Sequence, residues 1–258
     1  MVPAIHSSQY LLSPLYHLLL NNHTRRMRLT ALTKSTLSDW LQLLATLCHH
    51  AVPIASLVPQ PPHVYAATDA SKDGMGGYWL TTTLEADNAP TAWRYQWPDT
   101  LPPCLISADN PTGDLSINDL ELVAFMAHHH IQSCCMAPSP YRHTCIATDN
   151  SAAQAWINNG SPSTIAAPEF LLRLLAHNCR DQNLTIQAVH TSGATNTIAD
   201  LLSHSFDLSD EQLLLCLNSL APSKRPWRLV TPLAPFICNM NLALSKKLPQ
   251  RVLPPPQE

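Results

Sequence analysis

His63–Leu84 reads HVYAATDASKDGMGGYWLTTTL, and its punctuation decides the fold. HVYAATDAS is an apolar run bounded by turn residues, as a buried strand is, and it ends on Asp69. Ser71–Gly74 (SKDG) is a turn, because Asp-Gly supports the positive φ of a hairpin. Gly76 and Gly77 open the returning strand, and TAWRYQWP alternates up to Pro98 as a third. Short links between neighbouring strands predict an antiparallel meander with a carboxylate at the end of its first strand.

Downstream the pattern changes to strands alternating with helices, which favours parallel crossovers. A long Pro- and Asp-rich loop covers 98–115. Ser116 then reads as an N-cap with Asp119 three positions on, a variant capping box, opening a helix over about 117–134. Its core face is Leu120, Val123, Ala124 and Ala127, and Glu121 lies beside that face. HTCIATD (143–149) is a fourth strand, ending on Asp149. Asn150 or Ser151 caps the short helix SAAQAWINN, which stops at Gly160. A helix over 167–181, the strand LTIQAVH and the short helix TNTIADLLSHS follow, with Asp200 near the middle of the last. The fold class is α/β: a five-stranded mixed sheet, three strands antiparallel and two parallel, flanked by helices.

Asp69, Glu121, Asp149 and Asp200 therefore lie where strands end or helices begin. Carboxylates converging from distant parts of a chain are a means of holding Mg²⁺, a hard cation that takes oxygen ligands. Two such ions clamp the attacking and leaving oxygens of a phosphodiester. Each acid has a plainer reading alone: turn residue for Asp69, cap for Asp149, exposed helical residue for Asp200. Asp119 competes with Glu121, but its third helical position suits capping.

Charge is distributed unevenly. Residues 63–206 carry 5 of the 15 Lys and Arg and 13 of the 18 Asp and Glu, a net of −8; the remainder carries 10 against 5, a net of +5. An acidic centre suits cation binding, and the overall −3 argues against tight nucleic-acid binding by bulk charge. Arg142, Arg173 and Arg180 are the candidate substrate cations within that centre. Eight cysteines include no C-x-x-C pair, so neither a zinc framework nor a secreted disulfide scaffold is indicated. His128–His130 lacks further ligands at zinc-like spacing. Tyr10–Leu20 is too short to span a bilayer and has no basic segment before it, so no membrane partner and an intracellular location, cytoplasmic or nuclear, are expected.

Three regions follow: a helical segment, 1–62; an α/β domain, 63–206; and a helical, Pro-rich tail, 207–258. In the first, Leu37, Trp40, Leu41, Leu44 and Cys48 recur at helical spacing, with Ser35 or Thr36 as cap and Asp39 in the first turn. In the tail, Asp210–Leu220 is an amphipathic helix, Lys224, Arg225 and Arg228 lie in a linker, and a second helix covers about 235–246.

Four motifs, TDAS-x-x-G-x-GG, S-x-x-D-L-E-L-x-A, TDN-S-A-A and H-x-S-G-x-x-N-x-x-AD-x-LS, carry a resemblance over 63–206. They resemble the ribonuclease H domain of retroelement reverse transcriptases, in the gypsy-like and DIRS-like flavour. Residues 10–60 weakly resemble the segment joining polymerase to RNase H, and no Y-x-D-D polymerase motif is present. The resemblance implies an RNase H-like fold and hydrolysis of the RNA strand of an RNA–DNA hybrid. It implies Asp69, Glu121, Asp149 and Asp200 as ligands of two Mg²⁺ ions, with Mn²⁺ as a substitute. Asp69 bridges both, Glu121 and Asp149 serve the leaving-group side, and Asp200 serves the nucleophile side. His190, ten residues before Asp200, matches the family's mobile histidine. Ser71 and Asn150 are candidate substrate contacts, and a polymerase portion of a polyprotein is a candidate partner. The family often has Arg where His204 stands. Two other readings stay open: a non-catalytic nucleic-acid-binding relic of a truncated element, and a nuclease of transposase or integrase type.

Overall fold

β1 (Val64–Ala70) lies third in a six-stranded sheet, between β4 (Arg142–Thr148) and β2 (Gly74–Thr81). With β5 (Leu184–His190), β3 (Thr91–Gln96) and β6 (Arg228–Val230), the order is β5-β4-β1-β2-β3-β6. A computed structural model describes residues 8–21, 28–49, 61–62, 64–81, 89–136, 142–160, 162, 167–181 and 184–247. The Pro-rich stretches at 53–60 and 249–256 lie outside the described residues.

The expected mixed α/β arrangement is present. β1, β2 and β3 form the antiparallel meander, while β1–β4 and β4–β5 are parallel. The count of five strands is corrected to six, because Arg228–Val230, read from sequence as linker, pairs in parallel with β3. Three residues are too few for alternation to show in sequence. The Arg228 N–H donates to the Pro90 carbonyl at 3.1 Å and its Nε to Thr91 Oγ1 at 2.7 Å, which covers the edge of β3.

α3 (Ile117–Cys135) runs across one face of the sheet. Its first turn is a full capping box: Ser116 Oγ accepts from the Asp119 N–H, and Asp119 Oδ2 accepts from the Ser116 N–H at 2.7 Å. The helix is buried on every side rather than on one face, since Leu120 and Leu122–Ala127 are all at 0% exposure. β1 and β2 cover one side; α4 (Ser151–Asn159), α5 (Ala167–Asp181) and α8 (Ala234–Leu244) cover others. The histidine run is part of this core. His128 accepts at Nδ1 from the Trp93 indole at 3.1 Å, and burial pushes its pKa down to about 3, so it is neutral. His130 stacks on Phe236 at 4.2 Å.

The N-terminal helices α1 (Ser13–Asn21) and α2 (Ala31–His49) lie near one another, and side chains of both reach α5. Here the register read from sequence is corrected. α2 starts earlier, with Thr30 Oγ1 accepting from the Thr33 N–H at 3.1 Å. Thr33, Thr36, Asp39 and Leu43 face inward, and Leu37, Leu41 and Leu44 are exposed. The cause is Arg173 on α5, whose Nε donates to Asp39 Oδ2 at 2.7 Å while its Nη2 donates to Ser35 Oγ. Burial alone would raise the Asp39 pKa; hydrogen bonds from His177 and Arg173 outweigh it and hold the carboxyl below its ordinary value. Arg173 is therefore a buried structural cation and not a substrate contact. The Arg142 and Arg180 side chains lie outside the described residues.

α6 (Thr197–His204) packs across β1, β2 and β3. A Cβ on Gly76 would collide with Leu202, so the glycine permits helix and strand to touch. α7 (Asp210–Leu220) follows, held by Arg94 on β3, which donates to the Ser205 and Leu208 carbonyls and to Asp210 Oδ1 at 2.7 Å. Among the described residues, no helix is long and apolar enough to cross a membrane.

Candidate active site

Parallel pairing of β1 with β4 sets the first two carboxylates side by side. Ala67 is registered with Ala147, and both strands end within a few residues, so Asp69 and Asp149 emerge at the same level. A crevice at the carboxyl ends of parallel strands is where α/β sheets place ligands. Asp69 is buried and Asp149 is half-buried. Gly193, in the turn after β5, lies against Asp149: a Cβ there would meet its Oδ2 at 2.9 Å. The glycine of HTSGATN thus leaves room for a carboxylate.

Glu121 enters from α3. The Thr148 hydroxyl donates to its Oε2 at 3.4 Å, and the Ala70 backbone N–H supplies a further hydrogen bond. Ligand atoms of Asp69, Glu121 and Asp149 lie within 4.8 Å of one another. Asp119 is absent from that group because its carboxylate is spent in the capping box. Burial, then the charges of Asp69 and Asp149, push the Glu121 pKa up to about 9. Burial also raises the pKa of Asp69, against the hydrogen bond from Ser203 and with the help of Asp149 and Asp200.

Asp200 arrives on α6 and is exposed, its side chain at 64%. Three contacts seat that helix. The Asn196 amide donates to the Thr68 carbonyl at 3.0 Å, the Ser71 hydroxyl donates to the Ser203 carbonyl at 2.7 Å, and the Ser203 hydroxyl donates to Asp69 Oδ2. Asp69, Asp200 and His204 form a second group whose ligand atoms lie within 4.8 Å. Asp69 is thus common to two groups, one inside the sheet layer and one on the helix side.

His190 ends β5 opposite Thr148 and is exposed, outside both groups. Ser71 is buried inside its turn, where its Oγ accepts from the Asp73 and Gly74 N–H groups. Asn150 caps α4 by accepting from the Ala153 N–H at 2.9 Å, and its amide donates to Asn118 Oδ1. Sequence reasoning noted Ser203 in a motif and His204 as a departure but gave neither a role in the site. The signal was there in their spacing, three and four residues after Asp200, which puts all three near one helical face.

The donor set fits divalent cations. Three carboxylates crowd around Asp69, two of the four carboxyls carry raised pKa values, and Asp69 Oδ1 receives no protein hydrogen bond among the described residues. Oxygen donors of this kind suit Mg²⁺ and Mn²⁺.

No protein-family profile and no curated protein sequence matches the chain. Solved structures do. LC11-RNase H1 in complex with an RNA/DNA hybrid is 14% identical, at a TM-score of 0.39 over 54% of this chain and 92% of that one. A second structure of LC11-RNase H1, isolated from compost by a metagenomic approach, is 14% identical at 0.35, over 61% and 99%. A foamy viral protease-reverse transcriptase in complex with dsDNA is 14% identical at 0.28, over 69% and 34%. At that identity and superposition, the fold assignment for this chain rests on the strand order and pairing described above.

Proposed function

We propose that the chain is a retroelement reverse-transcriptase RNase H domain that hydrolyses the RNA strand of RNA–DNA hybrids with two divalent ions. The observation that carries this reading is the sharing of Asp69 between two ligand groups, one with Glu121 and Asp149 and one with Asp200. The motif order places the reaction in residues 63–206, with 1–62 as the connection to a polymerase portion and 207–258 as a tail.

Bound Mg²⁺ supplies positive charge to the attacking and leaving oxygens of the phosphodiester. The chain's residues do the rest. Ser203 orients Asp69 by donating to Oδ2, and Asp69 would be the carboxylate shared by both ions. Glu121 must give up a proton to become a ligand, since its pKa of about 9 keeps it protonated at neutral pH in the metal-free site. Asp149 is held at the strand end beside Gly193. His190, exposed at the end of β5, is the counterpart of the family's mobile histidine in this reading. Exposed Asp200 is the carboxylate most open to incoming solvent and substrate.

The test is cleavage of an end-labelled RNA–DNA hybrid by the purified chain with Mg²⁺ or Mn²⁺. Internal cuts in the RNA leaving 3′-hydroxyl and 5′-phosphate ends are expected. Cutting that survives Asp69→Asn, or strand transfer on duplex DNA in its place, overturns the reading.

A further inference from the structure

We propose that His204 is a third protein ligand on the helix side of Asp69, so that this position binds a divalent ion through one imidazole nitrogen and two carboxylates and selects Mn²⁺ over Mg²⁺. The inference deepens the two-metal reading above and rests on it.

His204 follows Asp200 by one helical turn on α6, and its Nε2 stands 3.5 Å from Asp200 Oδ1. Ligand atoms of Asp69, Asp200 and His204 all lie within 4.8 Å, close enough for one ion to reach three. Two further observations separate this from an ordinary surface pair. Asp69, 7% exposed, contributes a ligand atom to the group, and its one hydrogen bond among the described residues comes from Ser203 to Oδ2. Burial raises the Asp69 pKa, and a cation beside a buried carboxylate favours its charged form. The other face of the imidazole also has a partner, since Nδ1 lies 3.9 Å from Asp73 Oδ2. A carboxylate on the far side of the ring supports a metal-binding histidine once it closes to hydrogen-bond distance, and Asp73 is the carboxylate positioned to do so.

The helix that carries the pair is held in place. Ser71 is bonded to the Ser203 carbonyl, Asn196 to the Thr68 carbonyl, and Leu202 packs against Gly76. His204 is therefore presented to Asp69 by the tertiary structure. Mg²⁺ takes oxygen ligands, whereas imidazole is a ligand of first-row transition ions, so one nitrogen shifts selectivity toward Mn²⁺.

Pulsed EPR on the full chain, across a complete Mn²⁺ titration, reads the ligand directly. Nitrogen coupling from one bound imidazole is expected on the protein-bound Mn²⁺. His204→Gln removes that coupling and weakens Mn²⁺ binding at this position by about tenfold or more, with a smaller effect on Mg²⁺. His190→Gln keeps the coupling. Asp73→Asn keeps it as well but weakens Mn²⁺ binding. Bound Mn²⁺ without nitrogen coupling, or coupling that survives His204→Gln, makes His204 a surface partner of Asp200 and overturns this inference alone. Absence of any protein-bound Mn²⁺ overturns both it and the two-metal reading.

Discussion

The two flanks of Asp69 are built from different materials. On the sheet flank, Glu121 is 4% exposed and Asp149 sits at a strand end, both set by backbone pairing and core packing. On the helix flank, Asp200 and His204 have side chains 64% and 50% exposed on an eight-residue helix. The sheet flank draws its geometry from strand pairing and core packing, and it bears the cost of crowding carboxyls in a low dielectric. The helix flank is wet, so its charges are screened and contribute little to folding. Rigidity with strain on one side, and access with weak coupling on the other, is the division the site implies.

The largest effect is expected where the flanks meet. Asp69→Asn lowers hybrid cleavage about a thousandfold or more, the scale of losing a central electrostatic group, with either Mg²⁺ or Mn²⁺. A drop of only a few-fold means that the flanks do not share a ligand.

Glu121→Gln comes next, with a loss of about a hundredfold or more. It also separates the flanks by pH. The pKa of Glu121 is raised from its ordinary 4.5 to about 9 in the folded chain, so its contribution to stability is fully present below 4.5 and is lost as pH rises through 9. The thermal midpoint of metal-free protein therefore falls as pH climbs across that window, and Glu121→Gln flattens the slope. Added Mg²⁺ restores stability most at the alkaline end, where the proton has already gone. A slope unchanged in Glu121→Gln breaks the claim that the sheet flank is strained.

Asp200→Asn is expected to weaken metal binding about tenfold while moving stability by no more than about 0.5 kcal/mol, the usual range for an exposed position. Calorimetric titration together with thermal melting checks both halves. A melting shift as large as that of Glu121→Gln would erase the contrast between the flanks.

Ser203→Ala has the smallest expected effect on rate, though not on stability. It removes a hydroxyl donor from a buried carboxylate, a loss of about 1.5–3 kcal/mol for a hydrogen bond to a charged group. Asp69 then titrates higher, so metal activation shifts to higher pH while the maximal rate falls only a few-fold. A rate measured against pH at several Mg²⁺ concentrations reads both.

Local segments were the legible part of the chain. The strand ending at Asp69, the Ser116–Asp119 capping box and the helix Asp210–Leu220 follow from short-range spacing, and the structure has each of them. What failed to show in sequence depended on distant partners. The inward face of α2 is chosen by Arg173, 134 residues from Asp39, against an apolar spacing that pointed to Leu37, Leu41 and Leu44. β6 is a strand only because the edge of β3 is open beside it. Ser203 reads as one more polar residue on a short helix until Asp69 stands opposite its hydroxyl.

By itself, then, the sequence determined the order of elements and which four acids stand at their ends, because caps, turns and alternation act over a few residues. Only the tertiary structure decided that the carboxyl of Glu121 comes within reach of Asp69, that Ser203 holds Asp69, and that His204 stands with Asp200 on its far side. These are relations between chain segments 52 to 135 residues apart in sequence. They are set by close packing of helix on sheet, at positions such as Gly76 and Gly193, and by where buried carboxyls find their donors.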